Sequence, residues 1–193
     1  MADLANNLLT LARLDSRSSH QEHEVLRVAS LAEAGARRVQ ALAGQTKISI
    51  EVDTDERAVV IGDPALLEQA VLALLDNAIN YNRAGGRVMV RTAVKDEQAL
   101  LEVEDTGIGI ASEHLGERFY RVDKARSREA GGTGLGLSIV HGIARAHGGT
   151  LRLSSIPDQG TTVTLTLPLA HRTASARRDE APGNVSALSE RTV

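Results

Sequence analysis

LLDNAINYN, residues 74–82, reads as the end of an amphipathic helix that carries an asparagine where leucine or alanine would favour the helix more. Leu67, Val71, Leu74 and Ala78 recur at spacings of four and three, and that stripe faces a core. Asn77 and Tyr81 are four apart and share one face. Upstream, Val59–Ile61 reads as a short strand stopped by Gly62-Asp63-Pro64, with Asp63 as helix N-cap and Pro64 at the first helical position. Three further segments follow in order: EDTGIGI (104–110), ERFYRVDKARS (117–127) and GGTGLGLSIV (131–140). The chain's three aromatic residues, Tyr81, Phe119 and Tyr120, all fall inside these four segments. A core of Leu, Val, Ile and Ala has no need of them, which points to local duties such as base stacking or lid packing.

Outward from these segments the periodicity alternates between helix and strand. In residues 2–15, Leu4, Leu8, Leu11 and Leu14 form a narrow apolar stripe. This is either a helix packed on its own domain or half of a helical hairpin. A second helix is predicted over 22–43, ending near Gly44, and Lys47–Val52 alternates as a strand. Gly85-Gly86 turns the chain into paired strands at Arg87–Lys95 and Ala99–Glu104. Leu135–His147 is a predicted helix that Gly148-Gly149 can end in left-handed conformation. Leu151–Ser155 and Thr161–Leu167 close a hairpin around Pro157–Gly160. Residues 169–193 are polar and aperiodic, an expected disordered tail. The order implies an α+β fold: a two-layer α/β sandwich with helices on one face of a mixed sheet, preceded by an N-terminal helix.

Composition bounds the function. The 193 residues suit one domain with extensions, and 42% hydrophobic with 24% charged residues is ordinary for a soluble globular chain. A net charge of −3 gives no reason to expect nucleic acid. Cysteine is absent, which excludes disulfides and thiolate metal sites. No apolar run approaches a membrane span and no signal-peptide pattern opens the chain, so the expectation is a cytoplasmic protein, compatible with a membrane-anchored full-length parent.

The segments also carry chemistry. For a lone mid-helix asparagine a satisfied core amide is the better reading; beside Asp76, Asn80 and Tyr81 the Asn77 amide oxygen becomes a suitable hard ligand for Mg²⁺. Tyr81 offers a flat face for a purine. Asp105 with Gly107 and Gly109 is on one reading simply a turn. On the other, an ionised carboxylate that only accepts hydrogen bonds selects the exocyclic amino group of adenine. In the run Gly131–Gly136, glycines ahead of a helix let backbone amides approach a polyphosphate. The preceding charged loop and the G-x-G-x-G spacing exclude the dinucleotide fingerprint, and no Walker A motif is present. Arg118, Arg121, Lys124, Arg126 and Arg128 form either a solvated face or a lid over a nucleotide.

Residues 47–168 resemble the catalytic, ATP-binding domain of sensor histidine kinases, a branch of the Bergerat-fold superfamily that includes gyrase. LLDNAINY is similar to the family's N box, VEDTGIGI to its G1 box, ERFYRVDKARS to its F box and GGTGLGLSIV to its G2 box; AHGGTLRLSS (146–155) and GTTVTLTLPL (160–169) resemble its last helix and hairpin. The resemblance implies ATP and Mg²⁺ as ligands, with Asn77 on the metal, Tyr81 stacking and Asp105 on adenine. It implies a nucleotide site built from Asn77, Asn80, Tyr81, Asp105, Gly107, Gly109, Lys124, Arg126, Gly132, Thr133, Gly134, Leu135 and Gly136, with 117–134 as the lid. NNLLTLARLDSR (6–17) resembles the end of the second helix of the family's dimerisation and phosphoacceptor hairpin. Residues 1–17 would then be that remnant, able to support a homodimer, and 18–46 a helical connector. The implied partners are a phosphoacceptor histidine domain and a response regulator.

The chain departs from the pattern at several positions. The acceptor histidine motif is missing, and the HEVLR at 23–27 follows the hairpin remnant instead of preceding it. Both His20 and His23 therefore read as surface residues, and His147 fits a helix C-terminal turn. Ala73 stands where hydrolysing relatives place a glutamate base, Asn80 where kinases commonly carry a cation, and Gly116 replaces an apolar F-box residue. The expectation is the catalytic part of a histidine kinase that phosphorylates a histidine outside this chain. A nucleotide-binding pseudokinase and an anti-sigma-factor type serine kinase are the alternatives, and a stand-alone ATPase ranks last for want of a base.

Overall fold

The computed structural model describes residues 23–110 and 136–170. Their elements run β1 (Glu24–Arg27), α1 (Val28–Gln45), β2 (Ser49–Asp53), β3 (Val59–Gly62), α2 (Pro64–Asn80), β4 (Arg87–Lys95), β5 (Gln98–Asp105), α3 (Gly136–Ala146), β6 (Thr150–Ile156) and β7 (Gly160–Pro168). Five strands form one sheet in the order β2-β4-β5-β7-β6; β2 runs parallel to β4 and the other pairs are antiparallel. Strand alternation sorts its two faces. Val88, Val90, Leu101, Val103, Val163 and Leu165 are buried against the helices. On the opposite face, Arg91 bridges Glu102 at 3.1 Å and Glu104 at 2.7 Å. The two-layer α/β sandwich with a mixed sheet is the expected architecture.

The helices form the second layer. Leu67, Val71, Leu74 and Ala78, the stripe read from the sequence, are each at most 3% exposed. Asp63 caps α2 by accepting from the amides of Ala65 at 2.9 Å and Leu66 at 3.1 Å, and Pro64 follows at the first helical position. α1 lies against α2 at Gly35, where an added β-carbon would come within 2.6 Å of Val71 Cγ1 and 3.0 Å of Leu75 Cδ1. α3 buries Ile139, Val140, Ile143 and Ala144 and turns off through Gly148, which has φ 69°. Val28, Ala32, Val39 and Ala43 of α1 belong to the same core as α2 and the sheet.

The predicted helix over 22–43 requires correction at its start. Residues 24–27 are a strand, pairing antiparallel with β3 from Glu24↔Gly62 to Arg27↔Val59, and the helix begins at Val28. The partner strand lies more than thirty residues on, so no local pattern reports the pairing. Leu169 and Ala170, read as the start of the tail, are bonded: their amides donate to the carbonyls of Glu97 at 3.3 Å and Val59 at 2.8 Å. The predicted N-terminal helix over 2–15 and the remainder of the tail lie outside the described residues. Among the described residues no helix is long and apolar enough to cross a membrane.

Candidate nucleotide site

Three chain segments converge where α2 ends. Asn77 lies in the last turn of α2, half-buried, and its carbonyl accepts the Tyr81 amide at 3.0 Å, which makes Tyr81 the C-cap. The turn after β5 then packs onto that cap: the Ile108 amide donates to the Tyr81 carbonyl at 3.0 Å. Gly107 must be glycine, because a β-carbon there would collide with the Tyr81 carbonyl oxygen and lie 2.8 Å from Asp105 Oδ1. Gly109 has φ 66° and abuts the Ile156 carbonyl. The start of α3 completes the junction, since a β-carbon on Gly136 would lie 3.2 Å from Asn77 Nδ2.

Asp105 is the last residue of β5 and falls in its inward alternation, after Leu101 and Val103. Only 8% of it is exposed. Its Oδ1 accepts the Gly107 amide at 2.8 Å. Burial pushes its carboxyl up to about 6; the amides of Gly107 and Thr161 oppose that shift and the charge of Glu104 adds to it. Gly160, φ 114°, lets β7 start hard against the Asp105 carbonyl, because any side chain there would overlap it.

Several supporting residues escaped the sequence reading. The Asn82 Nδ2 donates to the Arg87 carbonyl at 3.0 Å while its Oδ1 accepts the Arg83 amide at 2.9 Å. Thr106 Oγ1 accepts the Arg87 amide at 2.9 Å. Ser155 Oγ accepts the Ile110 amide at 2.7 Å and donates to the Gly160 carbonyl at 2.9 Å. Arg83 also pairs with Asp158 across the β6–β7 turn. Together they fix both flanks of the Gly107–Gly109 turn. Asn82 stood inside the quoted 74–82 stretch and could have been singled out as a turn residue; Ser155 carried no local signal.

Of the predicted site residues, Asn77, Tyr81, Asp105, Gly107, Gly109 and Gly136 come together at this junction. Asn80 lies on the same helix end, but exposed. Lys124, Arg126, Gly132, Thr133, Gly134 and Leu135 lie outside the described residues, as do Gly116, Phe119, Tyr120 and the other lid cations. Ala73, one turn before Asn77, is half-buried and offers no polar group. Among the described residues, the Asn77 carboxamide has no hydrogen-bond partner, and no group of three or more His, Cys, Asp or Glu is placed to hold a metal.

Residues 62–171 match the family described as histidine kinase-, DNA gyrase B-, and HSP90-like ATPase. The chain belongs to this family. The sensor-like histidine kinase SenX3 of Mycolicibacterium smegmatis is 39% identical over 171 residues, which cover 87% of this chain and 44% of SenX3. The chain spans under half the length of the curated relatives it matches. Among solved structures, the mycobacterial sensor histidine kinase MprB superposes with a TM-score of 0.65 at 34% identity, covering 76% of this chain and 97% of that one. The histidine kinase AdeS of Acinetobacter baumannii gives 0.70 at 28% identity, covering 87% and 78%. The resemblance read from the four motifs therefore holds, and the fold is that of histidine kinase catalytic domains. Within this ATPase family, the junction of Asn77, Asp105 and Gly136 occupies the segments read as the N, G1 and G2 boxes.

Proposed function

We propose that this domain binds Mg-ATP and passes the γ-phosphoryl group to a histidine carried on another segment, as the catalytic part of a histidine kinase. The observation that carries the reading is the junction itself, where the Asn77 carboxamide, without a hydrogen-bond partner among the described residues, meets the glycine-led start of α3, and the turn after the buried Asp105 packs on the Tyr81 cap of the same helix. Asp105 would accept from the adenine amino group, beside the Gly107 amide that its Oδ1 already accepts. The Tyr81 ring would lie against the purine. The start of α3, glycine-led and free of acidic residues in its first turn, suits a polyphosphate at its positive end.

The residues present also fit a magnesium ion. A half-buried carboxamide with no partner among the described residues is a hard oxygen donor, and Mg²⁺ takes few protein ligands when phosphates and water supply the rest. When bound, the ion neutralises charge on the β- and γ-phosphates. Asn77 would hold it, and Lys124 and Arg126 would add cations from the lid. Phosphoryl transfer needs positioning and charge neutralisation, so no covalent residue is required of this domain. The acceptor histidine domain and a response regulator are the proposed partners.

Calorimetric titration with ATP, with and without Mg²⁺, tests the reading, together with Asn77→Ala and transfer of label to an intact phosphoacceptor hairpin. Magnesium-dependent binding that the variant loses, followed by a labelled histidine, is the expected result. Binding without transfer to any histidine would favour a nucleotide-sensing pseudokinase, the reading that Ala73 and exposed Asn80 support. Absence of binding would overturn both.

A further inference from the structure

His147 is anchored at both ring nitrogens. The Asp63 amide donates to Nε2 at 3.1 Å, so Nε2 carries the lone pair and Nδ1 the proton, which goes to the Ile143 carbonyl at 2.8 Å. Gly62 makes the room: a β-carbon there would lie 2.6 Å from His147 Cδ2 and 2.8 Å from Nε2. The His23 ring meets the same imidazole edge-on, with centroids 6.0 Å apart and planes at 77°. Asp63 is the N-cap of α2 and His147 follows the last residue of α3, so this bond ties the end of one helix to the start of the other. At the opposite end of the same pair, Gly136 faces Asn77.

We propose that His147 is a positioning residue that sets the axial placement of α3 against α2, and thereby the gap between Gly136 and Asn77. The physical argument is one of directionality. Ile139, Val140, Ile143 and Ala144 press α3 onto the core, but apolar burial is non-directional and resists sliding along the helix axis only weakly. A hydrogen bond with both partners fixed does resist it. α3 has 11 residues, about 16 Å at 1.5 Å per residue, and a helix that short moves as a rod. Slack at His147 therefore appears at Gly136.

The consequence for ATP rests on the nucleotide reading; the consequence for Asn77 does not. The test compares the full chain with His147→Leu and His147→Gln, the latter placing an amide group where Nε2 stood. In nucleotide-free protein, the Asn77 side-chain amide resonances should move in His147→Leu and return toward wild type in His147→Gln. Mg-ATP affinity should fall roughly five- to tenfold in the leucine variant, the weight of one lost hydrogen bond, and recover in the glutamine variant. Unmoved Asn77 resonances in a folded leucine variant, or identical behaviour of the two variants, would overturn the proposal. A wild-type protein that ignores ATP would remove the nucleotide reading alone, leaving the Asn77 resonances to decide. Long-range proton–nitrogen spectra of wild type provide a readout free of any folding defect: the Nδ1–H tautomer is expected, and an Nε2–H tautomer refutes the pin.

Discussion

Asn77 near the end of α2 and Gly136 at the head of α3 stand so close that a single β-carbon on the glycine would lie 3.2 Å from Nδ2 and 3.5 Å from Oδ1 of the asparagine. Two segments separated by almost sixty residues thus share one point, and only hydrogen occupies the glycine's side of it. On the nucleotide reading proposed above, that space is where the carboxamide would meet its ligand.

Gly136→Ala should therefore separate folding from binding. The contact is tight but meets a side chain that can rotate, and alanine is the better helix former by up to about 1 kcal/mol. Thermal stability should stay level or rise slightly, while magnesium-dependent ATP affinity falls by about tenfold. Calorimetry beside a melting curve checks both; equal loss of each would mean the glycine serves folding only.

Asp105→Asn should trade binding for stability. The carboxyl is raised from 3.8 to about 6, so ionising it in the folded protein is unfavourable. The sign follows from linkage: stability is highest with the group protonated and declines as pH rises from about 4 through about 6, by on the order of 2–3 kcal/mol. Asparagine escapes that loss. The variant should be more stable than wild type at pH 7.5 and gain little at about pH 3, below both values, while discrimination of ATP from GTP weakens. Urea titrations at the two pH values measure the first claim and competition binding the second.

Gly35→Ala pits two effects of similar size against each other. Helix propensity favours alanine by about 1 kcal/mol. The new methyl would sit 2.6 Å from Val71 Cγ1, and overpacking of that kind costs about 1–3 kcal/mol. Net destabilisation of about 1 kcal/mol, the middle of the difference, is expected by denaturant unfolding. Combined with Val71→Ala the loss should be smaller than the sum of the single losses, because each change relieves the other's strain.

Asp63→Ala removes the cap of α2 yet keeps the peptide N–H that His147 accepts. About 1 kcal/mol of stability should disappear. Mg-ATP affinity should change less than twofold, since the backbone bond survives. A large affinity loss here would place the carboxylate itself in the positioning of α3.

The parts of the fold that were legible share a local cause. The 67-71-74-78 stripe, the Asp63-Pro64 start and the alternation in residues 87–104 each follow from a period or a cap within a few residues. The β1–β3 pairing was not legible, because Glu24–Arg27 is extended only through hydrogen bonds to residues 59–62. The site divides the same way. Asn77, Asp105 and the glycines announced themselves as residues poorly suited to a plain helix or strand. Ser155 and His147 act across the chain, and a serine in a strand or a histidine after a helix is ordinary. His147 was read as a C-terminal turn residue, and its bond to the Asp63 amide is what the sequence had no way to display.

The small β1–β3 pairing has a consequence for how the domain is hung within a longer polypeptide. β3 holds β1 along one edge, and the Val59 carbonyl receives the Ala170 amide. The incoming strand and the residues that follow β7 are thus both bonded to β3, Glu24 beside Gly62 at one end and Ala170 on Val59 at the other. A circular permutant that bridges residues 170 and 23 with a linker spanning the length of β3, opened at the Asp96-Glu97 turn, should keep the sheet, both helix contacts and the nucleotide junction even where the Leu169–Glu97 bond is lost.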